Sequence, residues 1–100
     1  MNLLQAASSG IDTFNEIRDV LIRMSELLQS SGLRDWARML TQIAERSDEG
    51  YPAIRPEIRR MYGGMGSLND IVLHRDGKVL KYENNEFDAL RERLYALTRD

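Results

Sequence analysis

The apolar residues of the first half fall into two helical stripes with almost nothing between them, and this leaves the chain few ways to fold. Phe14, Ile17, Leu21, Met24 and Leu28 recur at spacings of three and four, with Val20 and Leu27 beside them. That is the period of one face of an α-helix. Leu33, Trp36, Ala37, Leu40, Ile43 and Ala44 form the second stripe. Only Gln29, Ser30, Ser31 and Gly32 intervene, and Gly32 suits the left-handed position that ends a helix. So short a connection predicts antiparallel neighbours, with Trp36 packed against the first helix. Thr13 and Glu16 read as a capping box at its start. Residues 1–10 read as a loose lead-in or a single turn.

Beyond Gly50 the periodicity weakens. Tyr51, Ile54, Ile58, Met61 and Tyr62 are spaced helically, but Pro56 lacks an N–H and crowds the preceding turn. The secure third helix is therefore predicted from about Arg55, after an extended or single-turn entry, and Gly63 ends it. The run from Asp70 to Tyr82 reads as two strands around Asp76-Gly77, a pair suited to a two-residue hairpin turn. In that register Arg75 faces Lys78, Leu73 faces Leu80 and Ile71 faces Tyr82. Ile71, Leu73, Leu80 and Tyr82 then point inward, while Val72, His74, Val79 and Lys81 point outward. A last helix, capped by Asn84 or Asn85, buries Phe87, Leu90, Leu94 and Leu97 and turns Arg91, Glu92 and Arg93 to solvent. A lone hairpin is marginal in water, so it must lie on the helices. The expected fold is a single α+β domain over 1–100, about four helices packed around a small antiparallel β-hairpin.

Composition narrows the function. The 100 residues carry 14 basic and 16 acidic side chains, a formal charge of −2. Duplex-binding domains usually carry a positive excess, so nucleic acid is not the expected partner. There is no cysteine and one histidine, His74. Disulfides and cysteine-ligated metals are excluded, and a zinc site built from histidines would need more of them. No cofactor or metal is expected. The opening residues make a poor signal peptide, and no apolar run reaches the ~18 residues that span a bilayer. A cytoplasmic protein without a membrane partner is the expectation.

The segment Met61–Leu73 holds the one unusual motif, Gly63, Gly64, Met65, Gly66 and Ser67, followed by Asn69 and Asp70. Phosphate loops open a helix, and the Walker form adds a lysine. These glycines follow a helix, lead into a strand and have no lysine. As a structural turn the segment needs glycine for sharp changes of direction. Asn69 and Asp70 read as turn residues, and His74 has no nucleophile beside it. No catalytic pair is identifiable. Two readings remain, a structural turn and a protein contact. Met65 is either exposed or plugs a gap. As a mobile apolar tip it suits protein contact, and Tyr62 and Arg59 are types enriched in binding hot spots. The candidate partner-binding residues are Arg59, Tyr62, Gly63, Gly64, Met65, Gly66, Ser67, Asn69 and Asp70.

This segment resembles the signature of a family of small uncharacterised bacterial domains: Tyr62, Gly63, Gly64, Met65, Gly66 and Ser67, then Asn69, Asp70 and a hydrophobic residue. The Trp36 helix and the ending from Leu90 to Leu97 are similar to that family as well. Leu68 stands where the family has an aromatic. Some relatives look like immunity proteins encoded beside bacterial toxins. The resemblance implies a bacterial cytoplasmic domain with a toxin-neutralising role. The expected function is a non-enzymatic protein-binding domain, of the immunity type, whose partner is a toxin domain. The alternative is a self-associating or adaptor domain that forms a homodimer, and a small hydrolase or transferase stands last.

Overall fold

In the computed structural model, which describes the backbone of residues 3–99 and the side chains of 13–99, the first stripe belongs to one long helix, α1 (Leu3–Ser30). It is longer than the capping box predicts. Thr13 lies inside the helix rather than at its cap: the helix runs through Ser8, Ser9 and Gly10, and the cost of about 1 kcal/mol for an interior glycine does not end it. The backbone of the supposed loose lead-in thus joins α1 from Leu3; its side chains lie outside the described residues. Ile17, Leu21, Met24 and Leu28 are completely buried.

α1 ends as its sequence predicts. Gly32 has φ +80°. Leu33 donates to the Leu28 carbonyl at 2.9 Å, and Gly32 donates to Gln29 at 3.1 Å. These two bonds are the paired closure of a glycine-terminated helix. The chain reverses into α2 (Arg34–Glu45), which buries Ala37, Leu40, Ile43 and Ala44. α1 packs most extensively on α2 and next on α4.

A 3-10 turn over Ser47–Glu49 leads into α3 (Tyr51–Arg60). This helix corrects the expected entry. It begins at Tyr51, with Pro52 in the first turn, and carries Pro56 in its interior. The Pro56 ring takes one intrahelical bond from the Pro52 carbonyl, but fully buried Ile54 and Ile58 hold the segment helical from the core side. α3 stops at Arg60, before Gly63.

The hairpin keeps its predicted register and loses most of its length. β1 (His74–Arg75) and β2 (Lys78–Val79) pair antiparallel, with His74 opposite Val79 and Arg75 opposite Lys78. Asp76 and Gly77 both adopt positive φ, 54° and 78°, as a two-residue turn of this type requires. Leu73 is fully buried, while Val72 and Val79 are exposed, so the inward face is the one predicted. Tyr82 is the exception. It belongs to α4 (Lys81–Leu97) and is 81% exposed.

The early start of α4 has a physical cause. Asn84 does not cap it. Its amide oxygen accepts from Leu73 N at 2.8 Å, and its amide nitrogen donates to the carbonyls of Leu73 at 2.9 Å and Leu80 at 2.8 Å. Leu80 N still donates to the Leu73 carbonyl at 3.0 Å, while the Asn84 side chain takes over the Leu73 N–H that a longer strand would have paired with the Leu80 carbonyl, and the chain is free to turn helical from Lys81. Four helices and a two-stranded antiparallel sheet make one α+β domain. No helix among the described residues is long and apolar enough to cross a membrane.

Candidate functional site

The glycine segment is a tightly bonded loop. After α3 the backbone returns on itself, and Leu68 N donates to the Met61 carbonyl at 2.7 Å. Gly64 and Gly66 take φ of +79° and +71°, values that side chains with a Cβ rarely adopt. Gly63 has ordinary φ. Asp70 Oδ2 accepts from Gly66 N at 2.7 Å, Asn69 Nδ2 donates to the Tyr62 carbonyl at 3.2 Å, and buried Ser67 Oγ accepts from Asn69 N at 3.3 Å. Asn69, Asp70 and Ser67 thus act on their own backbone. Leu68, where the resemblance expects an aromatic, is completely buried.

A residue that sequence reasoning turned to solvent completes the clamp. Arg91 of α4 donates from Nη1 to the carbonyls of Leu68 at 3.1 Å and Asn69 at 3.2 Å, and from Nη2 to Asp88 Oδ1 at 2.6 Å. Its side chain is only 17% exposed. Tyr62 answers from the loop side, its hydroxyl donating to the Arg91 carbonyl at 2.6 Å. Burial pushes the Tyr62 phenol upward, so it stays protonated as that donation requires. A charged residue beside Glu92 and Arg93 reads as a solvated helix face; only its distance from Leu68 in the fold gives it another role.

Held in this way, the loop presents Met65 at 99% exposure. Two clefts border it, and Gly63 lines both. The first, about 700 Å³, lies among α2, α3 and the loop, with Trp36, Met39, Arg60, Gly66 and Ser67 on its walls. Trp36 is therefore half-buried, packed on the core with part of its surface and open to the cleft with the rest. This corrects the expectation of a core tryptophan. The second cleft, about 650 Å³, lies between α3 and α4. Its walls include Arg59, Tyr62, Asn69, Tyr95 and Arg99.

Of the nine predicted residues, the loop gathers Gly63, Gly64, Met65, Gly66, Ser67, Asn69 and Asp70, and Tyr62 and Arg59 join it across the second cleft. Arg59 sits over the Tyr95 ring, with its guanidinium carbon 4.1 Å from the ring centroid and Nη2 donating to the Tyr95 hydroxyl at 3.2 Å. Tyr95 meets Tyr62 edge to face at 5.1 Å. Asp70 and His74 do not work together: Asp70 holds Gly66, and the His74 ring nitrogen Nδ1 bonds the Val72 carbonyl at 3.0 Å.

A family model described as a domain of unknown function, DUF6966, matches residues 29–81. The chain belongs to that family. The matched segment begins in the last turn of α1 and ends on the first residue of α4. The DUF6966 match therefore contains α2, α3, the glycine loop, the hairpin and the first cleft's walls. Arg91, Tyr95 and Arg99 lie beyond it. No curated protein and no solved structure matches the chain.

Proposed function

We infer that this DUF6966 domain is a non-enzymatic protein-binding module and that the glycine loop is its contact surface. The observation that carries the reading is Met65, an apolar side chain almost wholly in solvent on a loop whose flanking backbone is bonded by the side chains of Ser67, Asn69, Asp70 and Arg91. Apolar tips ordinarily lower their free energy by burial. A loop already ordered loses little entropy on docking, which is what preorganisation contributes to affinity. Half-buried Trp36 and exposed Met39 beside the loop extend the apolar area, and methionine adapts to irregular partner surfaces. The commitment of Asp70 and His74 to separate backbone groups speaks against acid–base chemistry there.

The finer reading is an immunity-type inhibitor, bacterial and cytoplasmic, that covers a toxin's active site or substrate path by steric occlusion. The self-associating alternative draws less support. Strands two residues long offer few edge N–H and C=O groups for pairing with a second copy.

The test is Met65→Asp, with thermal stability and affinity measured on one preparation. The binding assay uses the product of the neighbouring gene, titrated calorimetrically. The expected outcome is an unchanged melting temperature and an affinity weakened tenfold or more, about 1.4 kcal/mol. A stability loss with unchanged affinity per folded molecule would reduce Met65 to a structural part of the turn.

A further inference from the structure

We propose that the cleft between α3 and α4 takes carboxylate side chains from an acidic segment of the partner protein. The inference rests on the protein-binding reading and adds the partner's chemistry to it.

Charge and unsatisfied hydrogen bonding both point this way. Among the described residues, three guanidinium groups, Arg59, Arg91 and Arg99, line this cleft with a single carboxylate, Glu92, in a chain whose overall charge is −2. Arg91 is matched by Asp88. Arg59 and Arg99 have no ion-pair partner among the described residues and still outnumber Glu92. Arg59 Nη1 is out of contact with water and has no hydrogen-bond partner. A charged donor in that state raises the free energy of the unbound surface. A carboxylate that draws the guanidinium outward along the Tyr95 face would accept from it in the forked geometry that arginine favours. Tyr95, 40% exposed, supplies an aromatic wall beside the charge. Tyrosine with arginine is the composition of binding hot spots. The net negative charge of the whole chain opposes a long polyanion such as nucleic acid, whereas a short acidic segment needs only the local field.

The test uses capped hexaglutamate as the probe and NMR spectra of the ¹⁵N-labelled full chain. The expected result is saturable shifts of the Arg59 and Arg99 Nε–Hε signals and of the Gly63 and Asn69 amides, without shifts at Arg34 on α2. Arg99→Gln, on the exposed surface, should weaken the probe roughly tenfold without altering the fold. Arg59→Lys should weaken it as well, since the charge remains and the fork is lost. Arg34→Gln, an equal change of charge, should alter affinity by less than about twofold. Shifts spread evenly over all arginines, or an equal loss in Arg34→Gln, would reduce the effect to diffuse charge and overturn the proposal. Inorganic phosphate giving the same shifts at the same affinity would also overturn it, in favour of a simple anion site. If hexaglutamate leaves the cleft untouched while Met65→Asp still weakens the partner, the acidic-segment proposal falls and the protein-binding reading stands.

Discussion

Arg91 makes the most consequential set of single-residue contacts in the domain. One side chain holds two loop carbonyls and one acid, and its own carbonyl receives the Tyr62 hydroxyl. Removing the guanidinium takes a charged donor from the part-buried Leu68 carbonyl and the exposed Asn69 carbonyl, and hydrogen bonds to charged groups contribute about 1.5–3 kcal/mol. Arg91→Met, which keeps much of the aliphatic stem, is therefore expected to lower stability by about that amount. It should also speed hydrogen exchange at the Gly66 and Leu68 amides. Chemical denaturation and exchange rates check both. An unchanged midpoint would mean that water replaces the guanidinium freely. Met65 is the opposite case. It makes no buried contact, so its substitution tests binding with little effect on folding.

Among the elements, the junction of hairpin and α4 depends on Asn84. The amide serves both backbone groups of Leu73, and Leu80 as well, and Leu73 is fully buried. Asn84→Leu is close in size and removes all three bonds, so it should cost at least about 1–3 kcal/mol. Exposed Asn85→Leu should stay within about 0.5 kcal/mol. Equal midpoints for the two variants would refute the bracing role. The α1–α2 turn needs no such brace, because Gly32 and the Leu33 to Leu28 bond close it locally. Pro56 shows the reverse relation, a local penalty overridden by the burial of Ile54 and Ile58 from the same helix.

At the scale of the whole molecule, two ion pairs among the described residues tie α1 to α4. Arg93 donates to Glu16 at 2.5 and 2.9 Å, and Arg23 donates to Glu86 at 2.6 and 2.8 Å. The hydrogen bonds from these guanidinium groups hold both carboxyls below the usual carboxylate range. A carboxyl with a depressed folded-state pKa adds stability above its unfolded value and loses it as pH falls through the folded one. The contribution is therefore complete above about pH 5 and fades as pH falls below the ordinary glutamate value of roughly 4.3. Both pairs are substantially exposed, so the effect is small and screened by salt. The melting temperature of the wild type should fall more between about pH 5 and pH 3 than that of the double variant Glu16→Gln, Glu86→Gln. Parallel pH profiles for the two proteins would rule the pairs out as a source of acid sensitivity.

Features that depend on neighbours in sequence were legible without coordinates. The stripes of α1, α2 and α4, the Gly32 terminus, the Asp76-Gly77 turn and the hairpin register all follow from periodicity and turn chemistry. Whether Met65 is exposed or fills a gap was left open by the sequence, and the fold leaves it 99% exposed. Tertiary structure decided what the polar side chains do. Asn84 reads as a cap until Leu73, 11 residues away, claims it. Arg91 reads as a solvated charge until Leu68, 23 residues away, comes within reach. Trp36 reads as core until α3 and the loop leave a cleft against it. Helix periodicity and turn preference arise from contacts within a turn or two, and the local sequence contains their causes. A distant hydrogen bond or an open cleft depends on how whole elements meet, and no single stretch of the chain contains that information.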